Sequence, residues 1–193
     1  MLKQEKQIQQ FLITRLGQED AKAIFQGQNM ILEKIYAKTE GRSNSQRKTL
    51  KETILPRVAL YQALRNHPMY HTRAMELVQS YMFDVVARKK HNSMLHMEKI
   101  PGFYWLYSHV FLNIMKKTDL QKSLLHAEKD SYDVTITECL WHTACVENGC
   151  QELCSCFCKV DDITYGDLNK IGFSRTQTLG YGGKCCDFHF YKV

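Results

Sequence analysis

Hydrophobic positions recur at helical spacing over the first two-thirds of this chain and alternate like strand residues over the last third. Residues 3–16 form a polar, glutamine-rich helix with Ile8, Leu12 and Leu16 on one side, broken by Gly17. Residues 19–38 carry Ile24, Ile31 and Ile35 along one stripe. Glu40-Gly41 ends that helix, and Ser43-Asn44-Ser45-Gln46 offers capping chemistry to the next. The pattern Leu50, Ile54, Val58, Tyr61, Leu64 predicts a helix over 46–66, where Pro56 must either kink it or open a fresh helix. His67-Pro68 stops it. Residues 71–90 predict another helix, with Arg88-Lys89-Lys90 at its C-terminal, dipole-favoured end. Pro101 opens an aromatic-rich helix over 102–117.

Near residue 131 the period changes. Tyr132 to Leu140 is β-branched and alternating, a strand. The stretch Cys150 to Cys158 predicts a short helix, and 161–168 a loop or one more short helix. From Gly172 to Val193, two alternating runs flank Gly180-Tyr181-Gly182-Gly183, the signal of a β-hairpin. Three strands and short helices beneath a helical layer make the fold class α+β: an N-terminal helical part, 1–130, packed on a small C-terminal antiparallel sheet, 131–193. The two parts are expected to form one compact domain.

Composition narrows the function classes. The net charge of +6 is uneven, with 21 Lys/Arg against 12 Asp/Glu in residues 1–130 and 5 against 8 after that. The basic residues are scattered singly along amphipathic patterns, as on solvated helix faces, and no nucleic-acid motif accompanies them. No apolar run is long enough to span a membrane, and the first ten residues lack the apolar core of a secretory signal. A cytoplasmic protein with a small-molecule partner, and neither nucleic acid nor membrane, is the expectation. The eight cysteines are then thiols, not a disulfide framework.

Six of those cysteines lie between Cys139 and Cys158, and Cys185 and Cys186 sit in the hairpin. Phosphate-loop, dinucleotide, zinc-protease and nucleophile-elbow motifs are all missing. Cys154 and Cys158, one helical turn apart, together with Cys186 and either Glu138 or Cys139, make a possible zinc set, although the spacing is not that of a ribbon or knuckle. The alternative is a single nucleophilic thiol, with His189, Arg175 or His142 to activate it. Asp161 and Asp187 are candidate general bases or partners for a cationic amidine, with a helix N-cap as the plainer role for Asp161. Arg175 is a surface strand residue or a bidentate clamp for a substrate carboxylate. The remaining histidines are scattered and read as structural.

Several of these stretches, in order, resemble the L-2-amino-thiazoline-4-carboxylic acid hydrolase family: Leu55 to Leu64, Glu138-Cys139, Gly149 to Leu153, Phe157 to Asp161, Phe173 to Leu179, and Gly182-Gly183 before Cys186-Asp187-Phe188. The resemblance implies a cytoplasmic hydrolase that opens a cyclic amidine ring by adding water at the carbon between nitrogen and sulfur. The product is a carbamoyl derivative of cysteine. On this basis Cys158, Asp161, Cys186 and Asp187 are expected to carry the chemistry, with Arg175, Thr176, Thr178 and His189 binding substrate. Cys150, Cys154, Cys156 and Cys185 fall outside the family's pattern and keep zinc open as a cofactor. A weaker likeness to small-molecule-binding domains of the 4-vinyl-reductase type offers a second expectation, a non-catalytic sensor with cysteine-ligated zinc.

Overall fold

The computed structural model describes residues 3–193. The chain divides into two compact units: one runs up to Tyr81 and takes in Ala144–Leu153, and the other comprises Met82–Thr143 and Cys154–Val193. Position 130, where the hydropathy pattern changes, lies inside the second unit.

The first unit is helical. Helices α1 (Lys3–Leu16) and α2 (Gln18–Ala37) are separated by Gly17, whose φ of 83° only glycine adopts readily. Ser43 caps α3 (Asn44–Thr49) by accepting a hydrogen bond from the Gln46 backbone N–H at 3.1 Å. The tension at Pro56 is resolved by a widened, π-type turn at Leu50–Ile54, after which α4 (Leu55–Asn66) begins with Pro56 in its first turn. There the missing N–H costs nothing. Ile8, Leu12, Ile24, Ile54, Val58 and Leu64 are fully or almost fully buried. A turn at His71–Arg73 leads to α5 (Ala74–Ser80). Residues 144–153 are tied in by polar contacts. Tyr61 donates its hydroxyl to Glu152 at 2.8 Å, and Gln62 donates to the Asn148 carbonyl at 2.7 Å. Burial and that Glu152 bond push the Tyr61 phenol up to about 12.

The second unit holds the sheet. After wide turns at Tyr81–Ala87, α6 covers Arg88–Met97, so Arg88-Lys89-Lys90 opens a helical segment and does not end one at 90. Helix α7 (Phe103–Lys117) follows, then β1 (Gln121–Ala127), β2 (Ser131–Cys139), α8 (Leu140–Glu147), α9 (Cys154–Tyr165), β3 (Ile171–Ser174) and β4 (Cys186–Lys192). The four strands are antiparallel in the order β1-β2-β4-β3, with a bulge between Lys122 and Ser123. Strand β1 and helix α8 were not expected from the sequence, and the short helix expected over 150–158 and the loop or further short helix over 161–168 become a 3-10 turn at Gln151–Leu153 followed by the single helix α9, which ends at Tyr165. The terminal hairpin is present, but β3 stops at Ser174 and residues 175–185 form its connection.

Register gives the sheet two unlike faces. Tyr132 pairs with Phe190, Val134 with Phe188 and Ile136 with Cys186, so these residues share one face. That face, with Ile171 and Phe173, is the core of the unit and packs against Met94 of α6, Phe103 and Met115 of α7, and Tyr165 of α9. The Tyr132 and Phe190 rings stack at 4.9 Å. The opposite face carries Asp133, Thr135, Ser174, Asp187 and His189. Buried Glu98 accepts from the backbone N–H groups of Asn169 (2.9 Å) and Lys170 (2.6 Å) and holds the start of β3 in place. Burial raises the carboxyl's pKa, but the combined donors outweigh it and hold the pKa below its ordinary value.

Candidate active site

Helical spacing aligns Cys154, Cys158, Asp161 and Tyr165 on one side of α9. This stripe faces the inner side of the β3–β4 hairpin. The chain comes close enough there that a Cβ on Gly180 would lie 2.6 Å from the Cys158 sulfur and 3.0 Å from the Cys154 backbone, so the position admits only glycine without displacement. Thr178 caps the turn Leu179–Tyr181 and shares a hydrogen bond with the Cys158 thiol, which also bonds to Cys154. The Leu179 backbone N–H meets the Cys186 sulfur at 3.4 Å.

Arg175 spans the gap. Its Nη2 donates to the Cys158 carbonyl at 2.9 Å and pairs with Asp162 at 2.7 Å, and its guanidinium lies over the Phe173 and Phe188 rings at 5.8 and 5.6 Å. The side chain is only 8% exposed, and its Nη1 is buried with no hydrogen-bond partner. An arginine N–H left unpaired in such a place is costly.

Asp161 is half-buried and takes no hydrogen bond from the described residues. Burial pushes its carboxyl up to about 6, against the pull of Lys90 and Arg175. Tyr107 and Tyr165, whose hydroxyls are 2.7 Å apart, are within electrostatic reach of it. The thiols are shifted away from reactivity. Cys158 is raised by its bond to Cys154 and by burial, Cys139 is raised to about 12 by burial, and Cys186 is raised by burial despite the Leu179 N–H and Arg175. They stand as neutral thiols.

The expected site residues thus fall into two groups. Cys158, Asp161, Arg175, Thr178 and Cys186 gather on the inner side. Asp187, Thr176 and His189 belong to the outer side, where a shallow pocket of about 270 Å³ is lined by Asp133, Thr135, Ser174, Arg175, Thr176, Asp187, Phe188 and His189, so Arg175 borders both groups. There Asp187 accepts from the Thr176 hydroxyl (2.5 Å), the Thr176 N–H (3.0 Å) and the Gln177 N–H (2.8 Å), and His189 bonds to Asp133 at 2.7 Å. Burial would raise the Asp187 carboxyl, but these donors together hold it below its usual range. Glu138 is engaged with Lys122 at 2.6 Å on the surface. Among the described residues, no three His, Cys, Asp or Glu side chains converge as a metal-binding group. Two partners of the inner group went unnoticed in the sequence. Asp162 lies one residue from Asp161 and pairs with Arg175, and Lys90 had only its place in a basic run to mark it.

A family model described as L-2-amino-thiazoline-4-carboxylic acid hydrolase matches residues 46–190, a span that holds the whole α9–hairpin arrangement. The chain belongs to this family. The match leaves out α1 and α2, and it joins the two resemblance stretches that meet at Tyr61 and Glu152 in the first unit. As a member of the L-2-amino-thiazoline-4-carboxylic acid hydrolase family the chain has a hydrolase's name and an α+β fold, and the sensor alternative is not favoured. No match exists among curated proteins. Two solved structures of an Fe(II) unliganded H-NOX protein from K. algicida, one of them a point mutant, align at 12% identity and a TM-score of 0.34. They cover 98% and 97% of this chain and 94% of their own, and so loose a superposition carries no weight. No described helix is long and apolar enough to cross a membrane.

Proposed function

We propose that the protein hydrolyses a cyclic amidine of the 2-amino-thiazoline-4-carboxylate kind to a carbamoyl-cysteine-type product, with the chemistry on the inner side of the hairpin. The observation that carries this reading is the pairing of a hydrogen-bond-free carboxyl, shifted to about 6, with a buried arginine that has one unpartnered N–H. Such a substrate is a zwitterion with an amidinium at one end and a carboxylate at the other. Arg175 Nη1 binds the carboxylate, and Asp161 faces the amidinium.

Asp161 takes a proton from water as the water oxygen bonds to the carbon between nitrogen and sulfur. The tetrahedral adduct collapses with cleavage of the ring carbon–nitrogen bond: Asp161 returns its proton to the departing nitrogen, and the adduct's hydroxyl, becoming the carbamoyl carbonyl, releases its own proton to the freed amine, which leaves as an ammonium. The exocyclic nitrogen stays behind as the carbamoyl amine. A base with a pKa near 6 is ionised at neutral pH and is still a competent acid in the second half of the cycle. The neutral thiols of Cys158 and Cys186 supply a soft, apolar wall for the ring sulfur. Asp187 and Thr176 hold the connection that presents Arg175.

The test is incubation of the purified chain with 2-amino-thiazoline-4-carboxylate, following the mass gain of one water and the appearance of a primary α-amine. The Asp161→Asn protein is run alongside. Wild-type turnover that Asp161→Asn retains in full would sink the assignment of the base, and no turnover of this or related cyclic amidines would sink the reaction.

A further inference from the structure

The outer face of the sheet carries a row of polar side chains that the ring-opening chemistry leaves unused. Register sets Ser174 of β3 opposite His189 of β4, His189 opposite Asp133 of β2, and Asp133 opposite His126 of β1. Directly opposed residues on one sheet face have Cβ atoms about 4.5–5.5 Å apart, within reach of each other's side chains. His126 turns to Glu128 at 3.4 Å and leaves Asp133 to His189. The Asp133 carboxylate meets His189 at 2.7 Å, and it does so through Nδ1. An imidazole that donates from Nδ1 to a carboxylate keeps its lone pair on Nε2, the nitrogen that a general base uses. The ring is also stacked with Tyr191 at 5.6 Å, which steadies its plane. Ser174, on the other flank of His189, is exposed and lines the same pocket of about 270 Å³.

We propose that Ser174, His189 and Asp133 form a second catalytic site, in which Ser174 is the nucleophile of an acyl transfer from a small, uncharged ester. Three adjacent strands of one sheet supply the nucleophile, the base and the group that orients the base, and a constellation of this kind is defined by geometry and roles, not by chain order. His189 Nε2 takes the Ser174 hydroxyl proton as Oγ bonds to the ester carbonyl carbon. The tetrahedral adduct expels the alcohol, which receives that proton from His189, and the acyl group stays on Ser174. Water then attacks the acyl carbon and gives a proton to His189, which returns it to the departing Ser174 oxygen as the carboxylic acid leaves. Asp133 holds the ring and stabilises the imidazolium formed in each half. The pocket sets the substrate class. Its volume lies below the roughly 300–1,000 Å³ of sites for drug-sized ligands, so the acyl chain is short. Asp133 and Asp187 both border it, while the charge of Arg175 is paired with Asp162, so anionic acyl groups and phosphate monoesters are repelled.

The experiment treats the full chain with an uncharged fluorophosphonate probe and locates the adduct by peptide mass spectrometry, with hydrolysis of p-nitrophenyl acetate followed in parallel. Native protein is expected to carry one adduct per chain, on Ser174, and heat-denatured protein none. Ser174→Ala should lose the adduct, and His189→Gln should form it about 10²–10⁴-fold more slowly, the range of a lost general base. Ester hydrolysis is expected to fall in step in both variants, with circular dichroism unchanged. Asp133→Asn keeps the imidazole but loses the group that orients it; it should also slow labelling, and it serves if His189→Gln fails to fold. Native protein left unlabelled at Ser174 overturns the proposal, as does labelling at the wild-type rate in a folded His189→Gln or Asp133→Asn protein. Ester hydrolysis that Ser174→Ala retains in full overturns it equally, by placing the nucleophile elsewhere.

Discussion

The two faces of the small sheet are built from alternate residues of the same strands, yet they treat polar groups in opposite ways. On the outer face Asp187 is met by three donors and His189 by Asp133, in contact with solvent. On the inner face, among aromatic rings and neutral thiols, Asp161 takes no hydrogen bond from the described residues, and the Arg175 Nη1 is buried without a partner. A folded chain does not leave a buried donor unpaired without cost, and such debts gather where a ligand settles them. Adjacent residues Cys186 and Asp187 belong to these two different worlds because a strand turns successive side chains to opposite sides.

The sharpest way to break this contrast is to neutralise the inner carboxyl. Asp161→Asn is expected to lower kcat for ring opening by about 10²–10⁴-fold, the range of a lost general base, with folding intact. In wild type the rate should rise as pH increases through about 6, where Asp161 ionises. Next comes Arg175→Lys, which keeps the charge but loses the planar fork. It should raise KM by roughly 10–100-fold, with a smaller change in kcat. A variant that lowers kcat alone would remove Arg175 from substrate binding.

A smaller effect is expected from the outer face. Asp187→Asn should cost about 1–2 kcal/mol of stability, because the connection loses a charged acceptor, while kcat stays within about two-fold of wild type. The pH dependences of the two carboxyls oppose each other. The Asp187 pKa is depressed in the folded state, so its contribution to stability is present above the unfolded pKa and lost as pH falls through the folded one. The Asp161 pKa is raised, so its contribution is complete below the unfolded value near 3.8 and is lost as pH rises through about 6. Thermal melts of wild type and both variants between pH 3 and 8 would separate the two slopes. The smallest change is predicted for Cys158→Ala. With the thiol neutral and bonded to Cys154, turnover should fall by no more than about ten-fold, and a complete loss would restore a thiol nucleophile.

Much of this was legible in residue order because the physics was local. Ser43 announced a cap, Gly17 a break and Pro56 a disturbance, and each acts within one helical turn of itself. The alternation of Tyr132, Val134 and Ile136 was enough to name β2. Strand β1 escaped notice because the neighbouring Leu124 and Leu125 and the bulge at Lys122 spoil its period. The alternation from Phe173 to Leu179 promised a longer strand than the four residues found. What intervenes is Asp187, whose side chain takes the Thr176 and Gln177 N–H groups. The site was legible as a set of residues but not as a partition. The division of Cys186 from Asp187 follows from register, and Asp161 acquires its character from burial that only tertiary packing creates.

The bulge between Lys122 and Ser123 bears on how the protein behaves when crowded. An open sheet has two borders of unpaired backbone, each a template on which a foreign strand can build. One border here, β3, is only four residues long, and a Cβ at its Gly172 would run into the Tyr191 ring that lies over it. The other, β1, loses its straight ladder at the bulge and carries Lys122 and His126 along it. Neither border invites a neighbour's strand, so concentrated solutions should stay free of thioflavin-binding fibrils.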